Sequence, residues 1–307
     1  MGNVPGRSMP AFSLVSGTTL FIVSTVCFSA MHAVVRHLGV VEDMHAFVIA
    51  FWRCLIGGGA LFLWALTRGT PVPNARAAGL ICVRAAINTG AMLAFFAALA
   101  MTELATVTAL NFTAPLFTTL GAWAFLGERL RARRITALAI GFVGVLIVIR
   151  PGFETIGLGP VLTLTSAVLW AVAMLVIKHL TASVDSVSIT AYSGLIMAAM
   201  TLVPALFFWQ WPTPGQWVWL AVLALVASAA QLALTEAFHR AEASAVMPLD
   251  FLKLIWASAL GYVWFADVPS LWAWIGGAVI FASTVYIAQR ERQANRAARP
   301  PMVPPPV

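Results

Sequence analysis

Apolar stretches about as long as a bilayer is thick follow one another through almost the whole chain, separated by short breaks that carry charges or turn-forming residues. Of the 307 residues, 61% are hydrophobic and 9% are charged, whereas a soluble domain usually carries about a quarter charged residues. Because a bilayer core requires roughly 20 apolar residues per helix, the sequence predicts an all-α integral membrane protein with ten transmembrane helices. They are predicted at residues 12–35, 44–67, 77–99, 104–126, 133–150, 157–178, 187–209, 216–236, 243–265 and 269–289.

Basic residues are distributed unevenly between the two sides of the membrane. If the amino terminus is cytoplasmic, 13 of the 18 basic residues lie in cytoplasmic segments, two lie on the opposite side and three lie inside spans. The positive-inside rule therefore predicts that both termini are cytoplasmic and that the protein is multi-pass in the inner (plasma) membrane. The net charge of +7 is explained by this topology rather than by a nucleic-acid partner. Residues 291–307, basic and then proline-rich, are predicted to form a disordered cytoplasmic tail.

The two halves of the chain resemble each other. A shift of 142 residues aligns the first span of each half, and a shift of 139 residues aligns the fourth span of each half. Because each predicted unit, 12–150 and 157–290, contains five spans, the second unit must be inverted relative to the first. The aligned polar and aromatic pairs include Arg36 with Lys178, His37 with His179, Glu103 with Glu242, Asn111 with Asp250, Phe112 with Phe251 and Glu128 with Asp267.

The fourth span carries the most specific local pattern. Residues 105–129 read ATVTALNFTAPLFTTLGAWAFLGER, with Pro115 inside the span and Glu128 at its cytoplasmic end. With ten spans in two five-helix units, the chain resembles the EamA family of the drug/metabolite transporter superfamily. The second copy departs from this pattern, because Leu254 stands in place of the proline and Asp267 in place of the glutamate. The resemblance implies a cavity between the repeats, alternating access and carriage of a small organic metabolite, often outward. It implies no particular substrate.

Four charged residues lie well inside predicted spans, where a charge costs on the order of 3 kcal/mol and usually faces a cavity or a partner. Asp250 and Lys253 are three residues apart, so they either neutralise each other on one helix or contact a substrate or a proton. Arg53 and Arg84 have no acid at helical spacing in their own spans. Each therefore requires either a structural partner on another helix or an anionic group of the substrate, such as a carboxylate.

Asn111 is the polar residue of the fourth span that we expect to line the cavity. It shares a predicted helical face with Thr108 and Thr118, and Pro115 cannot donate a hydrogen bond to its carbonyl. The repeat aligns it with Asp250, which places the equivalent face of the ninth span at the same cavity. The alternative is that the polar groups of this stripe bond their own backbone or a neighbouring helix.

His32 and Trp170 lie in the middle of the first and sixth spans. A histidine on an apolar helix is either a packed, hydrogen-bonded residue or a proton relay. A tryptophan there either packs in the core or stacks on a flat substrate. The candidate substrate-binding residues are therefore Arg53, Arg84, Asn111, Asp250, Lys253, Trp170 and His32.

The sequence contains no motif for nucleotide hydrolysis, zinc-dependent proteolysis or a serine nucleophile, so we expect no cofactor, no metal and no enzymatic activity. The most direct interpretation is a secondary transporter, an exporter or an exchanger, whose partners are a small-molecule substrate and the lipid bilayer. The alternative function is a membrane-embedded enzyme acting on a lipid or a small apolar substrate. Whether the protein forms a homodimer is left open.

Overall fold

The computed structural model describes residues 17–67, 74–126, 132–151, 157–180, 186–240 and 247–297, and every element within these ranges is a helix. This confirms the all-α prediction for the described chain. The helices are α1 (Gly17–Val40), α2 (Ala46–Thr67), α3 (Ala75–Met101), α4 (Leu104–Asn111), α5 (Ala114–Leu126), α6 (Ala132–Ile149), α7 (Leu158–Leu180), α8 (Ser186–Leu206), α9 (Pro214–Arg240), α10 (Leu252–Phe265) and α11 (Leu271–Ala297), with a 3₁₀ segment at Met247–Phe251 before α10.

Several of these helices are long and apolar enough to cross a membrane. Five qualify by length and hydropathy, and further shorter apolar helices of 10–17 residues accompany them in the described chain. The five are Gly17–Val40, Ala46–Thr67, Ala75–Met101, Pro214–Leu234 and Leu271–Gln289, and the shorter ones are Ile135–Ile149, Leu158–Ala173 and Ala191–Leu206.

The helices pack in a pattern that relates the first half of the chain to the second. The most extensive contacts join α3 to α7, α1 to α9, α6 to α11 and α2 to α8, and α4 also contacts α10. If every helix is exchanged for its counterpart in the other half, α1 becomes α7 and α3 becomes α9, so the α1–α9 contact becomes the α7–α3 contact. The α6–α11, α2–α8 and α4–α10 contacts each join a helix to its own counterpart. This set of contacts is therefore unchanged by the exchange, as expected for a pseudo-two-fold arrangement.

Two of the contacts between counterparts depend on glycine. A Cβ atom added to Gly58 of α2 would lie 2.8 Å from the carbonyl carbon of Gly194 in α8, and one added to Gly144 of α6 would lie 2.9 Å from the carbonyl oxygen of Gly276 in α11. No real Cβ atom tolerates such distances from backbone atoms. The absence of side chains at these four positions therefore lets the two halves approach each other backbone to backbone.

The fourth span is interrupted, so the continuous helix predicted at residues 104–126 is wrong in this detail. Helix α4 ends at Asn111 and α5 begins at Ala114, because Pro115 has no N–H to donate to the Asn111 carbonyl and is tolerated only in the first turn of a helix. Thr113 closes the gap by donating from its hydroxyl to the Leu110 carbonyl at 2.7 Å. The predicted stripe of polar residues consequently lies on two helices rather than one.

The counterpart of this break in the second half is the 3₁₀ segment Met247–Phe251. The sequence predicted that Asp250 lies inside an α-helix. It lies instead in a 3₁₀ turn. The rings of Phe112 and Phe251, which the repeat aligns, are 6.1 Å apart, and both contact Phe281. The two irregular segments thus meet each other near the centre of the helix bundle.

The last helix extends further than expected. Helix α11 continues to Ala297, so residues 291–297 are helical and do not belong to a disordered tail. A run of polar, helix-compatible residues, QRERQANRA, follows the apolar part of α11, and glutamine, arginine and glutamate all have high helix propensity. Residues 298–307 lie outside the described chain.

Candidate functional site

Arg53 lies in α2 immediately before a turn of π-helix at Cys54–Gly58. One guanidinium nitrogen lies 2.9 Å from the sulfur of Met92 and another lies 3.9 Å from the sulfur of Met31. The guanidinium also faces the ring of Phe96, with 5.7 Å between the guanidinium carbon and the ring centroid. Its Nε is buried and has no hydrogen-bond partner among the described residues. We call Met31, His32, Arg53, Met92 and Phe96 the Arg53 cluster.

Within the described chain, no carboxylate pairs with Arg53. The groups nearest to its guanidinium are thioethers, which are weak acceptors, the thiol of Cys54 and an aromatic face. The π-helical turn that follows is a local departure from α-helix of the kind that is frequent at functional sites. A cation held in such surroundings has most of its hydrogen-bonding capacity unused.

His32 is the residue of α1 that links the rest of the Arg53 cluster to the second half of the chain. Its ring contacts Phe95 edge-on at 4.8 Å, and both Arg53 and Lys253 are close enough to act on it electrostatically. The hydroxyl of Ser29, one turn earlier on α1, donates to the Lys253 carbonyl at 3.2 Å. Helix α1 therefore lies between an arginine of the first repeat and a lysine of the second.

Asp250 and Lys253 form an ion pair with 2.6 Å between the lysine Nζ and a carboxylate oxygen, as their three-residue spacing predicts. The Lys253 ammonium also lies 5.1 Å from the centroid of the Phe28 ring. Because the pair neutralises itself, it contributes little net charge to the interior.

Arg84 lies on α3, two turns before Met92 on the same helical face, with Asn88 between them. Its guanidinium donates to the Ser193 hydroxyl of α8 at 2.8 Å, and its buried Nε has no partner. The Asn88 amide lies 3.3 Å from the sulfur of Met197, also on α8. In the part of the chain that is described, Arg84 has no carboxylate partner either.

Asn111 and Trp170 lie at other points of the interior. Asn111 is the last residue of α4, partly buried, where the fourth span is interrupted. Trp170 shares a face of α7 with the buried residues Ser166 and Ala167, yet its side chain is 42% exposed. A residue that is 42% exposed is not packed in the core. Neither residue contacts the Arg53 cluster.

A second group of charges, which the sequence did not predict as functional, lies where α1, α3 and α10 end. Arg36 of α1 donates to the carbonyl of Thr102, and its guanidinium lies 3.0 Å from a carboxylate oxygen of Asp267. It also lies 4.9 Å from the centroid of the Phe265 ring. The two charged side chains are 11% and 14% exposed. The repeat alignment contained the relevant signal, because it pairs Arg36 and Asp267 with charged residues of matching sign.

The described residues contain no group of three or more histidine, cysteine, aspartate or glutamate side chains placed to hold a metal ion. What they contain is a partly buried arginine with unsatisfied donors, aromatic and thioether side chains around it, and a neutralised ion pair nearby. This arrangement suits noncovalent binding of a small molecule, since the cluster has no nucleophile paired with a base.

A family model for EamA-like transporters matches the chain twice, at residues 15–150 and 157–289. The chain belongs to the EamA-like transporter family. The two matches confirm the resemblance to this family that residues 105–129 and the repeat predicted.

Named relatives of this EamA-like transporter carry small organic molecules. It is 30% identical to a riboflavin transporter of Rhizobium johnstonii (92% of this chain, 94% of the relative) and 24% identical to an S-adenosylmethionine uptake transporter of Rickettsia bellii (91% and 95%). It is 26% identical to a pseudopaline exporter of Pseudomonas aeruginosa (91% and 98%). A solved crystal structure with 19% identity has the same fold, with a TM-score of 0.61 over 91% of this chain and 98% of the other.

These findings identify the EamA-like transporter as a multi-pass membrane protein that transports a small metabolite. It is a transporter and not an enzyme, so the alternative of a membrane-embedded enzyme is dismissed. The relatives include both an uptake transporter and an exporter.

Proposed function

We propose that this EamA-like transporter moves its substrate by alternating access between two inverted five-helix repeats that together cross the membrane ten times. The helical segments of the described chain follow the order of the ten predicted spans, with α4 and α5 forming one span and the 3₁₀ segment joining α10 in another. The helix contacts that are unchanged by exchange of the two halves support the inverted repeat. The proposed units are 12–150 and 157–290.

We propose further that the protein lies in the inner membrane with both termini in the cytoplasm. The support is the excess of basic residues on one side of the predicted topology, 13 against two. Under this topology α1 and α10 both end at the outer side. The Arg36–Asp267 ion pair then closes the outer side of the transporter, because it joins a helix of the first repeat to the end of a helix of the second.

The single observation that carries the proposed binding site is the Arg53 guanidinium, which contacts sulfur atoms and an aromatic ring but no carboxylate of the described chain. It lies beside His32, next to the Asp250–Lys253 pair of the second repeat. A site that both repeats contribute to is the place where alternating access exposes a substrate first to one side and then to the other. Arg84, Asn111 and Trp170 are proposed to line the path to this site.

Riboflavin is the first candidate substrate. Its transporter in Rhizobium johnstonii aligns with 92% of this chain, and the aromatic side chains of Phe28, Phe95 and Phe96 lie around the proposed site. Aromatic faces in a mostly apolar site suit a flat ring system. We expect outward transport or exchange rather than net accumulation.

The test is counterflow in vesicles that contain the purified protein. Vesicles preloaded with unlabelled riboflavin should take up labelled riboflavin faster than empty vesicles, because an exchanger returns loaded more readily than empty. Imposed gradients of each direction then report the direction of net flux. If neither riboflavin nor any member of a metabolite panel moves faster than in protein-free vesicles, the proposed function is wrong.

A further inference from the structure

We infer that Arg53 recognises a hydrogen-bond-accepting edge of a flat substrate that carries no net positive charge. This inference rests on the proposed function and adds to it the chemical class of the substrate and the residue that selects it. The observations that carry it are the unused donors of Arg53, the side chains that surround it and the charge of the interior.

The hydrogen-bond donors of Arg53 meet only weak acceptors within the described chain. A guanidinium has five N–H donors in a planar fork. Two of its nitrogens face thioether sulfurs at 2.9 and 3.9 Å, and the Nε donates to nothing. Thioethers are weak acceptors that a ligand oxygen readily displaces. The fork matches two adjacent acceptors in one plane, such as the two oxygens of a carboxylate or the carbonyl and ring nitrogen of a heterocycle.

The side chains around the guanidinium favour a flat ring. Phe96 lies under the guanidinium, and Met31 and Met92 lie on either side of it. Methionine is flexible and polarizable, so it adapts to a ring that enters between the helices. A planar ligand can therefore present its edge to Arg53 while its faces contact thioethers and aromatic rings.

The charge of the site disfavours a cation. Lys253 is paired with Asp250, but neither Arg53 nor Arg84 has a carboxylate partner in the described chain. Like charges repel strongly where water is scarce, because the effective dielectric constant is low. A substrate with a net positive charge would add to this repulsion, whereas a neutral acceptor or an anion would relieve it. S-adenosylmethionine contains a sulfonium cation. We therefore expect this site to bind S-adenosylmethionine poorly, although the chain resembles S-adenosylmethionine uptake transporters.

Helix α3 extends the same chemistry toward the cytoplasmic side of the proposed topology. Arg84, Asn88 and Met92 follow each other at four-residue spacing, so they lie on one face over about 12 Å of helix. This face runs from Met92, which Arg53 contacts, to Arg84, the second arginine without a carboxylate partner in the described chain. An anionic group on the substrate thus meets a positive residue at both ends of this face.

The experiment measures inhibition of riboflavin counterflow by two probes of opposite charge. Flavin mononucleotide, which is anionic, should compete at least as well as unlabelled riboflavin, and S-adenosylmethionine should not compete at a tenfold higher concentration. Equal or stronger competition by S-adenosylmethionine would overturn the inference. If the vesicles move S-adenosylmethionine but no flavin, the inference fails while transport itself stands, and if they move no solute, the proposed function fails as well.

The variants Arg53→Met and Arg53→Lys separate recognition from a structural role. Arg53→Met removes a cation without a counter-ion and replaces it with the side chain type that already surrounds it, so the melting temperature should stay the same or rise. Riboflavin should then no longer raise the melting temperature, and its apparent affinity in counterflow should fall at least tenfold. Arg53→Lys keeps the charge but loses the planar fork, so a smaller loss is expected.

The matched control is Arg76→Gln, which alters an exposed arginine on the first turn of α3 and should change neither measurement. A lower melting temperature for Arg53→Met with unchanged riboflavin affinity would show that Arg53 is structural and would refute the assignment.

Discussion

Removing the carboxylate of Asp267 should open the outer side of the transporter. The Asp267→Ala variant leaves the Arg36 guanidinium buried in the closed state without its counter-ion, and losing one partner of a buried ion pair costs about 3–5 kcal/mol. Arg36 retains the carbonyl of Thr102 and the ring of Phe265, so the lower value, about 3 kcal/mol, applies. The cost disappears when the outer side opens and water reaches Arg36. The ratio of open to closed protein should therefore rise on the order of 100-fold.

A native cysteine reports this change. Cys54 is 6% exposed and follows Arg53 directly, so a membrane-impermeant thiol reagent added from outside reaches it only when the outer side is open. In a Cys27→Ser/Cys82→Ser background, the labelling rate of Cys54 in Asp267→Ala should rise by one to two orders of magnitude, as estimated from the shift in population.

Two controls make the result specific to the buried pair. The Arg36→Met/Asp267→Ala double variant removes the unpaired charge, so labelling should return toward the wild-type rate. Glu42→Ala disrupts the more exposed contact between His37 and Glu42, 3.8 Å apart, and should change labelling less than about fivefold, because exposed pairs contribute about 0–1 kcal/mol. Labelling that is unchanged in Asp267→Ala, or that rises equally in Glu42→Ala, would refute the role of this ion pair as the outer closure.

Three further predictions concern packing, charge and the substrate path. Gly58→Ala should lower the melting temperature by an amount equivalent to about 1–3 kcal/mol, because its Cβ would lie 2.8 Å from the backbone of α8, whereas Gly59→Ala, with no atom within 4 Å, should be neutral in the same thermal unfolding assay. Asp250→Asn should destabilise the protein more than Asp250→Asn combined with Lys253→Met, since only the single variant leaves a partly buried cation unpaired; equal melting temperatures would contradict this. Trp170→Ala should weaken riboflavin binding without lowering the melting temperature, because the side chain is 42% exposed, and a large loss of stability would instead place it in the core.

Properties that depend on neighbouring positions in the chain could be predicted from the sequence. The apolar segments and their helical conformation follow from residues within one helix. The pairing of Asp250 with Lys253 follows from their three-residue spacing, although the pair spans the junction between the 3₁₀ segment and α10. The repeat and the pattern around Pro115 were sufficient to predict the family, because both depend on the order of residues alone. Candidate cations inside the spans could be named for the same reason.

The partners of Arg36, Arg53 and Arg84 were decided by the tertiary structure alone. Arg36 and Asp267 are 231 positions apart, and Arg53 reaches Met92 across 39 positions, so no periodicity relates them. The interruption at the fourth span placed Asn111 and Thr118 on different helices, and the position of α8 gave Arg84 a hydroxyl and no carboxylate of the described chain. A helix defines the direction of its own side chains, but which of them meet across the bundle depends on how all the helices pack together. Within the described chain, that packing gave Arg36 a carboxylate partner and surrounded the Arg53 guanidinium with sulfur atoms and an aromatic ring.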